Sequence, residues 1–269
     1  MTAFAAPPGY EPVTAPRAQV LAWHSVAAAV QAVLAGGESL YHWAARQPGG
    51  HRHEGRGPAW GVVLGTERAV VRHSRHGGLL APLTRDLFRH PTRAPAELST
   101  SLRLSAAGIP TPAVLAFAVY PLALGLSRAD VATREVPDSA DLGAVLARVG
   151  AAERRQRVWP AVEGLLATMA RAEVSHPDLN AKNVLIISAT DRPGATAAAA
   201  WLLDVDVVTF GRPDAHEIAR GTTASASGDE VTDRRNRERL ARSLRKRSAG
   251  FAAPMEAADW RQLGMSTAA

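Results

Sequence analysis

The chain has no cysteine in its 269 residues, so neither a disulfide framework nor a thiolate metal site can be built. Lysine is almost as scarce. Lys182 and Lys246 are the two lysines and the other 29 basic residues are arginines, which excludes any mechanism needing a lysine before position 182. Aromatic residues make up 5% of the chain. None of them alternates with the arginines of the most basic stretch, which argues against base stacking and therefore against a nucleic-acid partner. No uninterrupted apolar run reaches the roughly 18–20 residues needed to span a bilayer. The nearest, residues 20–37, is interrupted by His24, Ser25 and Gln31. Its larger apolar residues, Val20, Trp23, Val30 and Leu34, recur at helical intervals, so an amphipathic helix is expected over residues 17–34. The first sixteen residues contain no Lys or Arg, unlike the basic start of a secretory leader. Being rich in Pro and Ala, they are expected to be disordered.

Hydrophobic residues amount to 46%, enough for one large core or two smaller lobes. The net charge of +6 is local. Residues 233–247, DRRNRERLARSLRKR, hold eight of the 31 basic and two of the 25 acidic residues, an excess equal to that of the whole chain. Leu240 and Leu244 share one face of this basic helix. The helix either presents a solvated surface or contacts an anionic lipid surface.

The first β-hairpin is expected from WGVVL and RAVVRH, with GTE (residues 65–67) turning between them. A helix over residues 95–107 should end at Gly108 and Pro110. Two strands follow in AVLAFAVYP and RADVATREVP, and Ser139 offers itself as a helix cap. Trp159, Val162, Leu165, Leu166 and Met169 form one stripe of a core helix. The order, strands first and mostly helices later, predicts an α+β fold of two unequal lobes. Residues 1–50 are expected to be an N-terminal extension, 51–136 a β-rich lobe, and 137–269 a mostly helical lobe ending in the basic helix.

The chemistry gathers around VSHPDLNAKNVLIIS, residues 174–188. Its strand NVLII and the later WLLDVDVV should pair as a hairpin, bringing Asp178, Asn183 and Asp204 together. Asp and Asn oxygens are hard ligands suited to Mg²⁺. A carboxylate off the metal can accept a proton from an alcohol. Metal, alcohol and base together describe phosphoryl transfer.

The form H-x-D-L-x-x-x-N, followed after a hairpin by a metal-binding Asp, resembles the protein-kinase-like fold. That likeness implies a bilobal arrangement with a small β-rich N-lobe and a mostly helical C-lobe. It implies ATP as phosphoryl donor, Asp178 as base, and Asn183 and Asp204 as Mg²⁺ ligands. Gly55 and Gly57, in GRGPAWG, stand in for the loop over the phosphates, although the third glycine of G-x-G-x-x-G is displaced. Arg72 takes the place of the usual strand lysine, and Glu97 is the acidic residue that would hold it. Lys182 could aim its ammonium at the γ-phosphate or at a substrate carboxylate. His176 is expected to be a packed residue bonding the backbone of the metal loop. Asp206 either pairs with a basic side chain or takes a direct metal role. His73, Arg75 and His76 bind an anionic glycolipid or form the polar edge of a strand.

With RH…GGL, the Arg72 substitution and the tail RRNRERLARSLRKR…DWRQL, the chain resembles the bacterial lipopolysaccharide-core kinases. Those acting on 3-deoxy-D-manno-octulosonic acid (Kdo) are the nearest likeness. The resemblance implies phosphorylation of the 4-hydroxyl of Kdo on the lipid A precursor, at the cytoplasmic face of the inner membrane. The basic helix would meet that membrane peripherally. Two other readings compete. One is a phosphotransferase of aminoglycoside or choline type, which normally keeps the strand lysine. The other is a catalytically silent kinase-like binding protein, whose mark would be a lost metal ligand.

Overall fold

The computed structural model describes residues 6–53, 58–74, 86–89, 92–187, 198–211 and 228–265. The chain divides into two units, one of Met1–Leu102 with Pro112–Glu135, the other of Arg103–Thr111 with Val136–Ala269.

The first unit is built on an eight-stranded antiparallel sheet. Its strands are β1 (Tyr10–Val13), β2 (Gln19–Trp23), β3 (His51–His53), β4 (Ala59–Leu64), β5 (Glu67–His73), β6 (Phe88–Arg89), β7 (Val114–Pro121) and β8 (Leu126–Arg134). They lie in the order β1-β2-β7-β8-β5-β4-β3, with β6 also paired to β8. β7 is buried on both faces from Val114 to Val119, which explains its nearly continuous apolar sequence. On one side it packs with α1 (His24–Ala35) and α2 (Leu40–Ala44) in a core that includes Val26, Val30, Leu40 and Leu115. On the other side Phe117, Val119 and Val131 meet Ala94 and Leu98 of α3 (Ala94–Ala106). The hairpin expected from WGVVL and RAVVRH is β4–β5, paired from Ala59↔Arg72 to Leu64↔Glu67. α3 ends at Gly108, whose φ of +72° suits glycine at a helix C-terminus.

The N-terminal residues correct three expectations. Residues 6–50 are no separate extension, because β1 and β2 extend this same sheet. The segment expected to be disordered includes β1, tied in by Tyr10, whose hydroxyl donates to the Val114 carbonyl at 2.6 Å. The helix expected from residue 17 begins instead at His24, after β2. The run VLAW satisfies either period, and pairing of Gln19–Ala22 with β7 decides it, tertiary packing overriding a local pattern.

The second unit is mostly helical. α4 (Leu142–Leu146) is capped by Asp141, which accepts from the Ala144 N–H at 3.0 Å. Ser139, the expected cap, lies in β9 (Ser139–Asp141) and donates its hydroxyl to the Val136 carbonyl. Ala151–Glu153 and a π-helical turn, Arg154–Val158, lead into α5 (Trp159–Arg171). The expected stripe of α5 is buried in full: Trp159, Val162, Leu165, Leu166 and Met169. β10 (Val174–Ser175) pairs with β13 (Thr209–Phe210), and β11 (Val184–Ile187) lies between β9 and β12 (Ala199–Leu202). The basic segment forms α6 (Gly228–Arg247), followed by the short α7 (Ala257–Gln262). Together the two units make the α+β fold that the element order predicts.

Candidate active site

The second unit supplies the loop between β10 and β11, residues 176–183. His176 is fully buried. Its Nδ1 accepts from the Asp178 backbone N–H at 3.2 Å, and its Nε2 faces the Leu203 carbonyl at 3.1 Å. Together these contacts require the tautomer protonated on Nε2. Burial lowers its pKa below the ordinary histidine value, so the ring is neutral at pH 7. His176 therefore clamps the loop to the residue preceding Asp204, the structural role expected of it.

Two amides brace the loop from within. Asn183 Nδ2 donates to the Asp178 carbonyl at 2.8 Å, and Asn180 Nδ2 donates to the same oxygen at 2.9 Å. Asn180 Oδ1 accepts the Lys182 N–H at 2.9 Å. With its nitrogen committed to donation, the largely buried Asn183 presents Oδ1 as its remaining side-chain polar atom.

The β11–β12 hairpin then brings the second motif alongside. Val184 is opposite Leu202, and the Leu203 N–H donates to the Asn183 carbonyl at 2.9 Å. The expected strand WLLDVDVV stops at Leu202, because Asp204 adopts φ 58°, ψ 50° and Val205–Val207 forms a 3₁₀ turn. A non-glycine residue in the left-handed region costs about 1–3 kcal/mol, and such strain clusters at functional sites. Asp178, Asn183 and Asp204 are thus joined through one hydrogen-bonded backbone, with Asp206 two residues further on in the 3₁₀ turn. Lys182 is exposed.

Sequence reasoning missed what supports this loop from below. Asn236 of α6, fully buried, accepts the His176 N–H at 3.1 Å and donates to the Val174 carbonyl at 2.9 Å. Ser243 Oγ accepts the Ala181 N–H at 3.1 Å, and Arg239 Nη1 donates to Ser175 Oγ at 3.0 Å. The basic helix is therefore a scaffold on one face, where Val231, Leu240 and Leu244 are also buried. The asparagine among arginines at position 236 was the available signal.

The first unit carries the other candidates. Arg72 of β5 forms an ion pair with Glu97 in the first turn of α3. Glu97 is buried at 4% exposure, which sets the pair apart from a surface bridge. Next to Arg72, His73 faces carboxylates with both nitrogens, Nδ1 at 2.5 Å from Asp130 and Nε2 at 3.1 Å from Asp86. Burial works against its charge, but bonds to Asp130 and Asp86 outweigh it and raise its pKa. Asp130, fully buried, also accepts from the Tyr120 hydroxyl and the Tyr41 N–H, both at 3.0 Å. His73 thus serves the interior of this unit. Gly55, Gly57, Arg75 and His76 lie outside the described residues. Gly61, the displaced third glycine, lies within β4.

A loop of this form followed by a hairpin and an Asp, on this α+β architecture, defines a protein-kinase-like phosphotransferase. The solved structure of WaaP in complex with acyl carrier protein shares the fold, at TM-score 0.51 and 15% identity, over 84% of this chain and 81% of that one. The chain belongs to the lipopolysaccharide kinase (Kdo/WaaP) family, whose family model matches residues 42–209. Among curated relatives, the 3-deoxy-D-manno-octulosonic acid kinase of Actinobacillus succinogenes is 30% identical, over 78% of this chain and 80% of its own. That of Pasteurella multocida is 29% identical over the same shares. Membership makes the protein a kinase, with ATP as its phosphoryl donor.

Proposed function

We propose that this protein transfers the γ-phosphoryl group of ATP to the 4-hydroxyl of Kdo on the lipid A precursor, in assembly of the lipopolysaccharide inner core. The observation that carries the reading is the bracing of residues 176–183. His176, Asn180, Asn183 and Asn236 all act on the backbone around Asp178. A base must be held where a hydroxyl can reach it, and this loop is fixed at both ends.

In this reading Asp178 orients the sugar hydroxyl and accepts its proton. Asn183 Oδ1 and Asp204 hold Mg²⁺, to which their hard oxygen donors are suited. When bound, the ion neutralises phosphate charge. Arg72, steadied by buried Glu97, binds phosphate oxygens with a planar fork that a lysine would not offer. Lys182 meets the γ-phosphate or the carboxylate of Kdo, and the sequence position of the glycine-rich segment falls to Gly55 and Gly57. The kinase of aminoglycoside or choline type remains the rival, since it shares the loop.

Labelled phosphate from ATP should appear on Kdo-lipid A precursor and not on choline or an aminoglycoside. Transfer to a soluble alcohol with none to the lipid would overturn the substrate assignment. Asp178→Asn should lower kcat by about 10²–10⁴, the usual worth of a general base, while leaving ATP affinity intact.

The chain's place at the membrane is part of the same proposal. Among the described residues no helix is long and apolar enough to cross a bilayer. One face of α6 is buried, whereas Arg242 and Lys246 are exposed. These would bring the enzyme to the anionic cytoplasmic face of the inner membrane, each basic residue worth about 1 kcal/mol near such a surface. Co-sedimentation with phosphatidylglycerol vesicles should fall in Arg242→Glu/Lys246→Glu and with added salt. Equal binding by the variant would remove the helix from this role.

A further inference from the structure

β3 ends the main path of the first unit's sheet and carries two histidines. His51 and His53 are two residues apart on a strand, so their side chains leave from the same face. Their ring centroids lie 4.5 Å apart. Glu135, the residue after β8, places Oε1 at 2.8 Å from His51 Nε2 and 3.7 Å from His53 Nε2. One ligand atom from each of the three lies within 4.8 Å of the others. The second oxygen, Oε2, accepts from Arg68 Nε at 2.8 Å, and the Glu135 N–H donates to the Arg68 carbonyl at 2.9 Å. The carboxylate is thereby fixed with one oxygen turned toward the imidazoles.

The sheet beneath is shaped for this arrangement. Gly61 of β4 is directly opposite His51. A Cβ on Gly61 would lie 2.2 Å from His51 Cε1 and 2.4 Å from Nε2, so the absence of a side chain lets the ring lie across β4. His53 Nε2 is buried and has no hydrogen-bond partner among the described residues. Such an atom costs about 1–3 kcal/mol unless something binds it.

Ionic pairing alone explains why Glu135 meets Arg68 and His51, but it leaves the buried nitrogen of His53 unsatisfied. We infer that His51, His53 and Glu135 form a binding site for a divalent transition metal of the Zn²⁺ type. Two imidazoles and one carboxylate are a zinc donor set with an open fourth position, whereas Mg²⁺ prefers oxygen throughout. A tetrahedral ion with bonds of about 2.0–2.1 Å needs ligand atoms roughly 3.3 Å apart. The observed 2.8 and 3.7 Å lie on either side of that value. A bound ion ties β3, the last strand of the sheet among the described residues, to the end of β8. None of these three side chains is among those proposed for phosphoryl transfer.

The protein, in excess Mg²⁺ to occupy oxygen sites, should bind one equivalent of Co²⁺ with a visible absorption band that Zn²⁺ displaces. Zn²⁺ at a hundred times its Kd should shift the folding equilibrium about a hundredfold. His51→Gln/His53→Gln should abolish the band, and Arg68→Met should weaken binding by about 10–100-fold, as loss of a ligand's orienting partner does. Unchanged stoichiometry and affinity in the double variant would overturn the inference. X-ray absorption on the zinc-loaded wild-type protein gives an answer that does not depend on any variant folding. Two imidazoles in the metal shell support the site, and a shell of oxygen alone sinks it.

Discussion

Replacing Asp259 with alanine should be among the most damaging single changes in the second unit. Arg154 and Asp259 are both wholly buried, joined at 2.5 Å. The same carboxylate accepts from Trp159 Nε1 at 3.0 Å, Arg155 Nε at 3.1 Å and the Glu256 N–H at 2.8 Å. Arg154 also donates to the carbonyls of Ala253 and Pro254, at 2.9 and 2.8 Å. Asp259→Ala would leave a guanidinium buried without its counter-charge, a loss of about 3–5 kcal/mol. Against a typical domain stability of about 5–15 kcal/mol, that is a large share of what holds the fold. Urea unfolding at pH 7 measures it directly, and a loss below about 1 kcal/mol would refute the reasoning. The pH dependence adds a second check. Burial opposes ionisation of Asp259, but bonds from Arg154, the Glu256 N–H and Trp159 outweigh it and hold its pKa below the ordinary 3.8. A depressed carboxyl contributes stability that is present above its unfolded pKa and is lost as pH falls through the folded value. The gap between wild type and Asp259→Asn should therefore narrow below about pH 4.

Asn236→Ala removes the partners of a buried N–H and a buried carbonyl, and should cost about 1–3 kcal/mol. Its effect on turnover should exceed its effect on the KM for ATP, because it loosens the loop around Asp178; equal effects would contradict that. His73 has a raised pKa, so its contribution is complete below its unfolded value of 6.5 and is lost as pH rises through the folded one. The destabilisation caused by His73→Gln should accordingly shrink from pH 6 to pH 9, and a constant difference in thermal melts would refute the charge assignment. Arg72→Met removes the cation paired with buried Glu97, so both stability and ATP affinity should fall, whereas Arg72→Met/Glu97→Met should regain part of the stability without regaining activity.

Much of the candidate site was legible because its information is local. HPDLNAKN carries its own turn chemistry, with Asn180 and Asn183 bonding to a carbonyl two and five residues away. The β-ribbon after it follows from two apolar runs, and the stripe of α5 from helical spacing. Residues whose partners are distant in the chain could not be read this way. Asn236 acts on His176 across 60 positions, and Asp259 on Trp159 across 100. The arginine-rich α6 allowed a solvated surface or a contact with anionic lipid, and Asn236 among its arginines does not say which loop, made sixty residues earlier, it meets.

The sequence by itself determined the kind of chemistry, the α+β order of elements and the hairpin that unites the two candidate motifs. Only the tertiary structure decided that residues 10–23 pair into the sheet, that Gly61 makes room for His51, and that α6 braces the loop. Periodicity and turn residues encode what a segment can form alone. Which of two allowed forms it takes, and what its polar groups bond, is settled by the burial and hydrogen bonding that distant segments provide.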